Sequence, residues 1–560
     1  MTLNSYPLTS LTAVALLLAL STSAQAQAPT LINVAPAANA RAAARNAGVV
    51  ASFSQPLTAA SATALKVFSS QRGGLRGGGT ATVIGANLGF FPTAYDFRPG
   101  ETVQLTVTRA AASAGGSLAT PRVQQFTAAT GGIGRGSFGG GLGLGVTDPP
   151  VAVVAGDVNG DGRLDLLSAN GLANTVSIRR SLPPDAYSFT VLVTVGQDPR
   201  ALVLADVDGD GDLDLLTANT GSNTVSVRLN SGTGVFGGTQ DVATDAQPVA
   251  LAVGDLDGDG DLDVVVAARG SNNVNCLLNN GTGTFASTTP LMPGVGPTSV
   301  ALGDLDNDGD LDVVTACPGS TLLNVQRNNG SAGFSNGQSL GAGANPTALA
   351  LADLTGDGYL DVAVLNPSSR TVERLFNDGT GTLLNGPALT TGPQPTGLAL
   401  GDVDADGDPD LVVSTFQNSQ VNLWLNNGIG VLLSANTFVT SSGPSAVALA
   451  DMDNDSDLDC ITAEPAVARL SFRYNNGTGP LATASGTAPA ALVAYPNPTT
   501  GRVTLTLPPA ATRAELLDPL GRVVRVVSAS AGAATLDVAG LAPGFYVLRA
   551  AGQVARLVVE

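Results

Sequence analysis

The sequence predicts an all-β chain: a seven-bladed β-propeller with a smaller β domain on either side. Two observations lead there. An Asp-rich string of nine residues recurs seven times, starting at Asp157, Asp206, Asp255, Asp304, Asp353, Asp402 and Asp451, always 49 residues apart. Self-similarity at such a period marks a solenoid, a propeller or an array. The composition is also turn-rich, with 69 Gly and 33 Pro in 560 residues and only 4 % aromatics, which suits many short strands rather than long helices. The length suggests three or four domains.

Each copy follows one plan. A small-residue apolar run such as "ALVLAD" precedes the Asp string, and a second run such as "LDVVVAA" follows it. A third run, "NTVSVRLN" in the second copy, leads through a Gly-rich turn such as "NNGTGTF" into a fourth, more polar run. Four short strands per unit is the blade pattern. The first strand, rich in Ala, Gly, Val and Leu, suits the crowded propeller axis, and the polar fourth suits the rim. An open β-solenoid is the main alternative, although its repeats are usually shorter. Closure is also legible. The segment "GRGSFGGGLGLG" (134–145) matches the turn and outer strand of a repeat, and Phe138 stands 98 residues, two periods, before Phe236. The seventh copy has only a stunted fourth run near 481–485. Residues 138–146 are therefore expected to supply the outer strand of the last blade.

The strings themselves carry the chemistry. Position 1 is Asp in every copy. Position 3 is Asp208, Asp257, Asp306, Asp404 and Asp453, with Asn159 and Thr355 in copies one and five. Position 5 is Asp161, Asp210, Asp259, Asp308, Asp357, Asp406 and Asp455, and position 9 is Asp165, Asp214, Asp263, Asp312, Asp361, Asp410 and Asp459. Oxygen ligands at 1, 3, 5 and beyond, with Gly at 6, describe a tight loop around a hard cation. Position 6 is Gly except for Ser456, where strain is expected. Position 7 is Asp212, Asp261, Asp310, Asp408 and Asp457 but Arg163 and Tyr359 elsewhere, so this residue is expected to ligate through its backbone carbonyl. Positions 2 and 8 are apolar or Pro in nearly every copy and anchor the loop. An EF-hand would need Glu at position 12, where Ser168, Thr217 and Val266 stand. Several protein oxygens in a flexible loop favour Ca2+ over Mg2+, at about seven sites, one per blade. Without a cation, that many carboxylates in nine residues repel one another. Copies one and five, with fewer carboxylates, are expected to bind most weakly.

Charge and rare residues narrow the function. Of 45 acidic residues, 31 lie in the strings, leaving 14 against 26 basic ones, so the net charge of −19 is concentrated in seven spots. No basic cluster interleaved with aromatics argues for nucleic acid. The absence of histidine excludes a Ser-His-Asp triad, a Cys-His pair and His-ligated zinc. Cys276, Cys317 and Cys460 form no paired framework and read as small buried side chains; Cys276 and Cys317 would pair only if adjacent strands brought them together. Trp424, the only Trp, reads as packing in a third strand. Residues 1–26 read as a secretory signal peptide, with the apolar core "LTAVALLLAL" and the "AQA" cleavage site, although no Lys or Arg precedes the core. No segment of the mature chain is long and apolar enough to span a bilayer.

The strings "DVDGDGDLD", "DLDGDGDLD" and "DLDNDGDLD" resemble the calcium loops of FG-GAP/VCBS-type repeats, as in the integrin α-chain propeller. The resemblance covers about 130–488 and implies a seven-bladed propeller with calcium loops on one rim, usually serving adhesion or ligand binding. Before it, 28–129 contains "PAANA" and "FRPGETVQLTVT", which resemble an S-layer-type bacterial Ig-like β-sandwich, a domain usually acting as a spacer. "RVQQFTAAT" (122–130) is expected to form its last strand, with the first propeller strand as the alternative. After it, 490–560 carries "YPNPTTGRVTL", "LLDPLGRVV" and "LDVAGLAPGFYVLRA", and resembles the type IX secretion C-terminal sorting domain. That resemblance implies a small β-sandwich read as an export address, the type IX machinery as a partner, and an extracellular or outer-surface destination reached through the periplasm.

Three functions compete. The first is a calcium-binding, non-catalytic adhesion or ligand-binding module for an extracellular glycan or protein. The second is a polysaccharide-degrading enzyme on a propeller scaffold, for which paired carboxylates are needed; outside the strings only Glu373, Glu464, Asp241, Asp245 and Asp378 are candidates. The third is a structural surface-layer component.

Overall fold

The structure is a computed structural model. It describes residues 27–475 apart from 93 and 184–185, and, further on, 493–495, 499, 501–507, 511–517, 522–529, 533–542, 544–550 and 553–559. The signal-peptide reading of 1–26 and the stunted run at 481–485 lie outside the described residues.

The apolar run after each Asp string becomes a strand, and in all seven copies each of its six residues is buried, from Asp165–Asn170 to Asp459–Glu464. Continuous rather than alternating burial means that both faces are covered. The covers are the neighbouring blades. The second blade shows the common order from axis to rim: Pro199–Ala205, Asp214–Asn219, Thr224–Asn230 and Phe236–Ala243, antiparallel throughout. Seven such sheets recur, and their innermost strands touch in sequence, the last, Ala446–Ala450, returning to the first, Pro150–Gly156. The ring is closed as expected. Phe138–Gly145 pairs with Arg469–Asn475, from Phe138 opposite Asn475 to Gly145 opposite Arg469, and forms the outer strand of the seventh blade. Phe138 is buried against Phe438 of the sixth blade, with ring centroids 5.2 Å apart.

A second joint was not visible in the sequence reading. The Asn that ends the third strand donates its amide to the backbone carbonyl at position 2 of the preceding blade's string: Asn230 to Val158, Asn279 to Val207, Asn328 to Leu256, Asn377 to Leu305, Asn426 to Leu354 and Asn475 to Val403, at 2.6–2.9 Å. The signal was the constant Asn before each Gly-rich turn. Trp424 and all three cysteines are buried among these strands, and the cysteines are unpaired.

Two sandwiches flank the ring. In the first, Leu31–Ala35, Val49–Phe53, Asn87–Phe90 and Thr82–Ile84 face Leu65–Ser69, Thr102–Val107 and Arg122–Thr127. Arg122–Thr127 is its last strand, and the core is built on Val49, Leu88, Leu105, Phe97 and Phe126. In the second, Val493–Tyr495, Arg502–Thr506 and Ala533–Asp537 form one sheet, and Val523–Ser528, Arg513–Leu517, Gly544–Ala550 and Gln553–Val559 the other. Among the described residues no helix is long and apolar enough to cross a membrane.

The expectation that the N-terminal sandwich is a spacer is corrected. Backbone hydrogen bonds tie it to the loop-bearing face of the ring: Asp157 N–H to Gln71 C=O at 2.8 Å, Val123 N–H to Gly309 C=O at 2.7 Å and Gly131 N–H to Ser456 C=O at 3.0 Å. A spacer would leave those groups to solvent; here arginines and hydroxyls of the sandwich meet the aspartates below.

Candidate metal centres in the aspartate loops

Each string connects the first strand of a blade to the second, and it must turn within nine residues. The turn uses left-handed backbone at two places. Position 6 has φ of 87° to 99° at its six glycines, and Ser456 is held at 80°. A non-glycine there stores strain, as anticipated, and the Ser456 hydroxyl accepts a hydrogen bond from Arg45 at 2.6 Å. Position 4 is also left-handed, including Asn307, Ala405 and Asn454, which the sequence reading did not single out.

The five acidic positions do different work. Position 9 is structural in all seven loops. One oxygen accepts the N–H of position 2 at 2.8–3.3 Å. The other accepts the N–H of the residue sixteen further on, Ser181 or one of the six joint asparagines, at 2.7–3.0 Å. Burial pushes these carboxyls up, Asp214, Asp263, Asp410 and Asp459 to about 8. Position 1 accepts the N–H of position 6 in every loop at 2.7–3.3 Å. Position 5 accepts the N–H of position 7 at 2.9–3.0 Å.

Oxygens within 4.8 Å of one another come together in five loops: Asp206, Asp208 and Asp210; Asp255, Asp257 and Asp259; Asp304, Asp306 and Asp308; Asp402, Asp404 and Asp410; Asp451, Asp453 and Asp459. Position 5 joins three clusters and position 9 the other two, so Asp406 and Asp455 stand outside their clusters. No position-7 carboxylate joins any. Asp408 turns to Arg41 at 2.9 Å, and Asp457 accepts the N–H groups of Ile133 and Gly134 at 3.1 and 2.6 Å. The Asn159 and Thr355 loops form no such cluster.

Three of these loops, the fourth, sixth and seventh, suit a hard cation most directly. Asp304 Oδ1, Asp306 Oδ1, Asp404 Oδ1 and Asp451 Oδ1 are buried and receive no hydrogen bond. A buried carboxylate oxygen without a donor is costly unless something positive satisfies it. Burial, and then the neighbouring aspartates, pushes Asp404 and Asp453 up to about 6 and Asp259 to about 7.

The N-terminal sandwich reaches position 1 of every loop. Leu75 N–H donates to Asp206 at 2.7 Å, the Thr106 hydroxyl to Asp255 at 2.7 Å, and the hydroxyl of Thr130, in the connection to the ring, to Asp402 at 2.5 Å. Arg72 lies 3.2 Å from Asp157, Arg122 3.7 Å from Asp304 and Arg41 3.8 Å from Asp353. Arg98 bonds Asn454 at 2.5 Å and faces Asp451. Gly74 shows how close the approach is: a Cβ there would lie 2.2 Å from that of Asp206. A cavity of about 320 Å3 lies between Ser69, Gln71 and Gln104 of the sandwich and Ala155, Ala205 and Val253 of the innermost strands.

Each candidate catalytic acid has a local partner, although Glu464 Oε2 is buried without a donor. Asp241 holds the Ser226 hydroxyl and Arg228, Asp245 the Asn273 and Asn275 amides, Glu373 the Thr371 hydroxyl, Asp378 the Thr380 hydroxyl and Glu464 the Thr462 hydroxyl.

Fold and loops define the class: a propeller with an acidic loop built into each blade, between two small sandwiches. The sequence matches the FG-GAP-like repeat family in five overlapping spans, 206–266, 258–315, 305–364, 354–413 and 402–462. It matches a bacterial Ig-like domain over 25–128 and a secretion system C-terminal sorting domain over 493–559. The chain carries FG-GAP-like repeats between these two flanking domains, and its sorting domain marks it for export to the cell surface or the extracellular space, with the type IX machinery as its reader. No curated protein matches it. Similar solved structures include BBS1N in complex with ARL6DN (16 % identity, 61 % of this chain and 96 % of that one, TM-score 0.45). Others are a protein of unknown function from Desulfotomaculum acetoxidans (12 %, 70 % and 99 %, 0.39) and Saccharomyces cerevisiae Sqt1 (15 %, 60 % and 99 %, 0.41). Likenesses this distant say nothing of ligand or activity.

Proposed function

We propose that this is a calcium-stabilised, non-catalytic adhesion or ligand-binding module acting outside the cell. The observation that carries the metal is the set of buried, donor-less carboxylate oxygens converging in the loops. Positions 1 and 3 would hold the ion, joined by position 5 in the second, third and fourth loops and by position 9 in the Asp410 and Asp459 loops, and the ion supplies charge neutralisation. Extracellular calcium modules bind at about 10⁻⁴–10⁻³ M, so these sites fill outside the cell. Because the N-terminal sandwich covers the loop face, calcium there acts as an internal clip and a ligand is left the opposite face and the blade edges. The local engagement of every candidate acid favours binding over catalysis.

The test is a calorimetric calcium titration of the chelator-stripped full chain, with melting followed in parallel. Uptake of several ions with a marked rise in Tm is expected. No uptake and no shift would sink the calcium reading. A glycan and extracellular-matrix array with the loaded protein then asks for the ligand, and hydrolysis or elimination of an arrayed polysaccharide would overturn the non-catalytic reading.

A further inference from the structure

The first loop, like the fifth, brings no carboxylate cluster together, and its fit to a metal fails. Each of its six carboxylate oxygens already has a protein donor. Asp157 accepts the N–H groups of Asp161 and Gly162 at 3.1 and 2.7 Å. Asp161 accepts the N–H of Arg163 at 2.9 Å and the side-chain amide of Asn159 at 3.1 Å. Asp165 accepts Val158 and Ser181 N–H at 3.2 and 2.8 Å. Asn159, which stands where five copies have a carboxylate, gives its amide N–H to Asp161, and its own Oδ1 accepts the Asp161 N–H at 3.1 Å. None of this loop's oxygens is among the buried ones without a partner, in contrast to Asp304, Asp306, Asp404 and Asp451 of the fourth, sixth and seventh loops.

A cation is nonetheless present. The Arg72 Nε lies 3.2 Å from Asp157 Oδ2, a carboxylate with a wholly buried side chain; the N–H is not aimed at the oxygen, so this is charge against charge rather than a directed hydrogen bond. The guanidinium is held in place. It stacks on Tyr95 at 3.9 Å from the ring centroid, and the Arg72 N–H donates to the Ser69 hydroxyl at 3.1 Å. That hydroxyl donates in turn to buried Glu101 at 2.5 Å. Arg163 adds a second guanidinium on the loop, bonded to the Ser181 hydroxyl at 3.0 Å. Asp157 of this loop thus meets a fixed guanidinium from the sandwich, and Arg163 replaces a carboxylate on the loop itself. An arginine nearby is not enough by itself: Arg122 approaches Asp304 in the fourth blade, yet Asp304 Oδ1 and Asp306 Oδ1 stay without donors.

We propose that the first loop takes no divalent cation and that Arg72, supplied by the N-terminal sandwich, is its permanent counter-charge. Arg72 is then a positioning residue, and Glu101 and Ser69 fix it. The inference rests on the calcium reading for the remaining loops but is tested apart from it. In the full chain, Asp210→Asn in the second loop should lose one ion per chain, whereas Asp161→Asn at the same position of the first loop should lose none. The pair Arg72→Gln with Asn159→Asp should gain one. In excess chelator, Arg72→Gln alone should lower Tm. Loss of an ion by Asp161→Asn overturns the proposal, as does an unchanged Tm for Arg72→Gln in chelator. If the wild-type chain takes up no calcium at all, the general calcium reading falls, and the chelator melting of Arg72→Gln alone decides for or against the guanidinium.

Discussion

The two sandwiches that flank the ring have the same architecture and opposite electrostatics. In the N-terminal one, Arg41, Arg72, Arg98 and Arg122 point out of the domain and into the acidic loops. In the C-terminal one, Arg513 and Arg549 pair with Glu515, and Arg502 with Asp537, inside the domain. Each has one telling carboxylate. Glu101 is buried, and burial raises its pKa against three hydrogen bonds that lower it. Glu515 sits between two arginines, and its bond from Arg549 lowers its pKa. A domain that exports its cations to a partner belongs to that partner's fold; a domain that keeps them folds on its own charge balance.

The sharpest way to break this comparison is to remove calcium. At about ten times Kd each site adds about 1.4 kcal/mol, so five clusters together contribute about 7 kcal/mol. Chelation should lower the ring's Tm and speed amide exchange across the loops and their contacts in 27–129, while exchange in 493–559 stays unchanged. Equal loosening of both sandwiches would refute the distinction. Asp255→Ala comes next. It strands the Thr106 hydroxyl and the N–H groups of Gly258 and Gly260, and should cost about 3 kcal/mol in urea unfolding; a cost near zero would mean that the contact is idle.

Glu101 gives a smaller effect with a definite sign. Its folded pKa lies above the ordinary 4.5, so its contribution is fully present below pH 4.5 and is lost as pH rises through the folded value. Wild-type stability should therefore fall relative to Glu101→Gln from pH 4 toward 8, read as diverging Tm curves; parallel curves would show Glu101 to be unperturbed. Glu515 has the reverse sign, contributing above its ordinary pKa and losing that as pH falls. Glu515→Gln should produce the smallest change, screened by salt and confined to the C-terminal transition.

What was legible in the sequence followed from period and chemistry. The 49-residue spacing gave the blades, Phe138 gave the closing strand, and Ser456 gave the strained turn. No carboxylate at position 7, where Arg163 and Tyr359 stand in two copies, enters a cluster. What stayed hidden depends on pairing across long separations. Nothing local marks Thr106 as the partner of Asp255, 149 residues away. Nor does a string of alternating aspartates reveal that the ninth residue is occupied by two backbone N–H groups while the third is not. The left-handed residue before each third strand is Asn in three blades but Thr321, Arg370, Ser419 and Ala468 in the others, so the ring's packing imposes a conformation that composition alone would not choose.

The closing strand also sets how the molecule bears load. Tension arriving through the C-terminal sandwich enters the ring at Asn475, the end of Arg469–Asn475. Were that strand at the edge of its sheet, it would peel away one hydrogen bond at a time. With Phe138–Gly145 on one side and Asp459–Glu464 on the other, two ladders must shear together. A pull on the surface end of the chain is met by its N-terminal half, and the propeller behaves as a buckle rather than a ribbon.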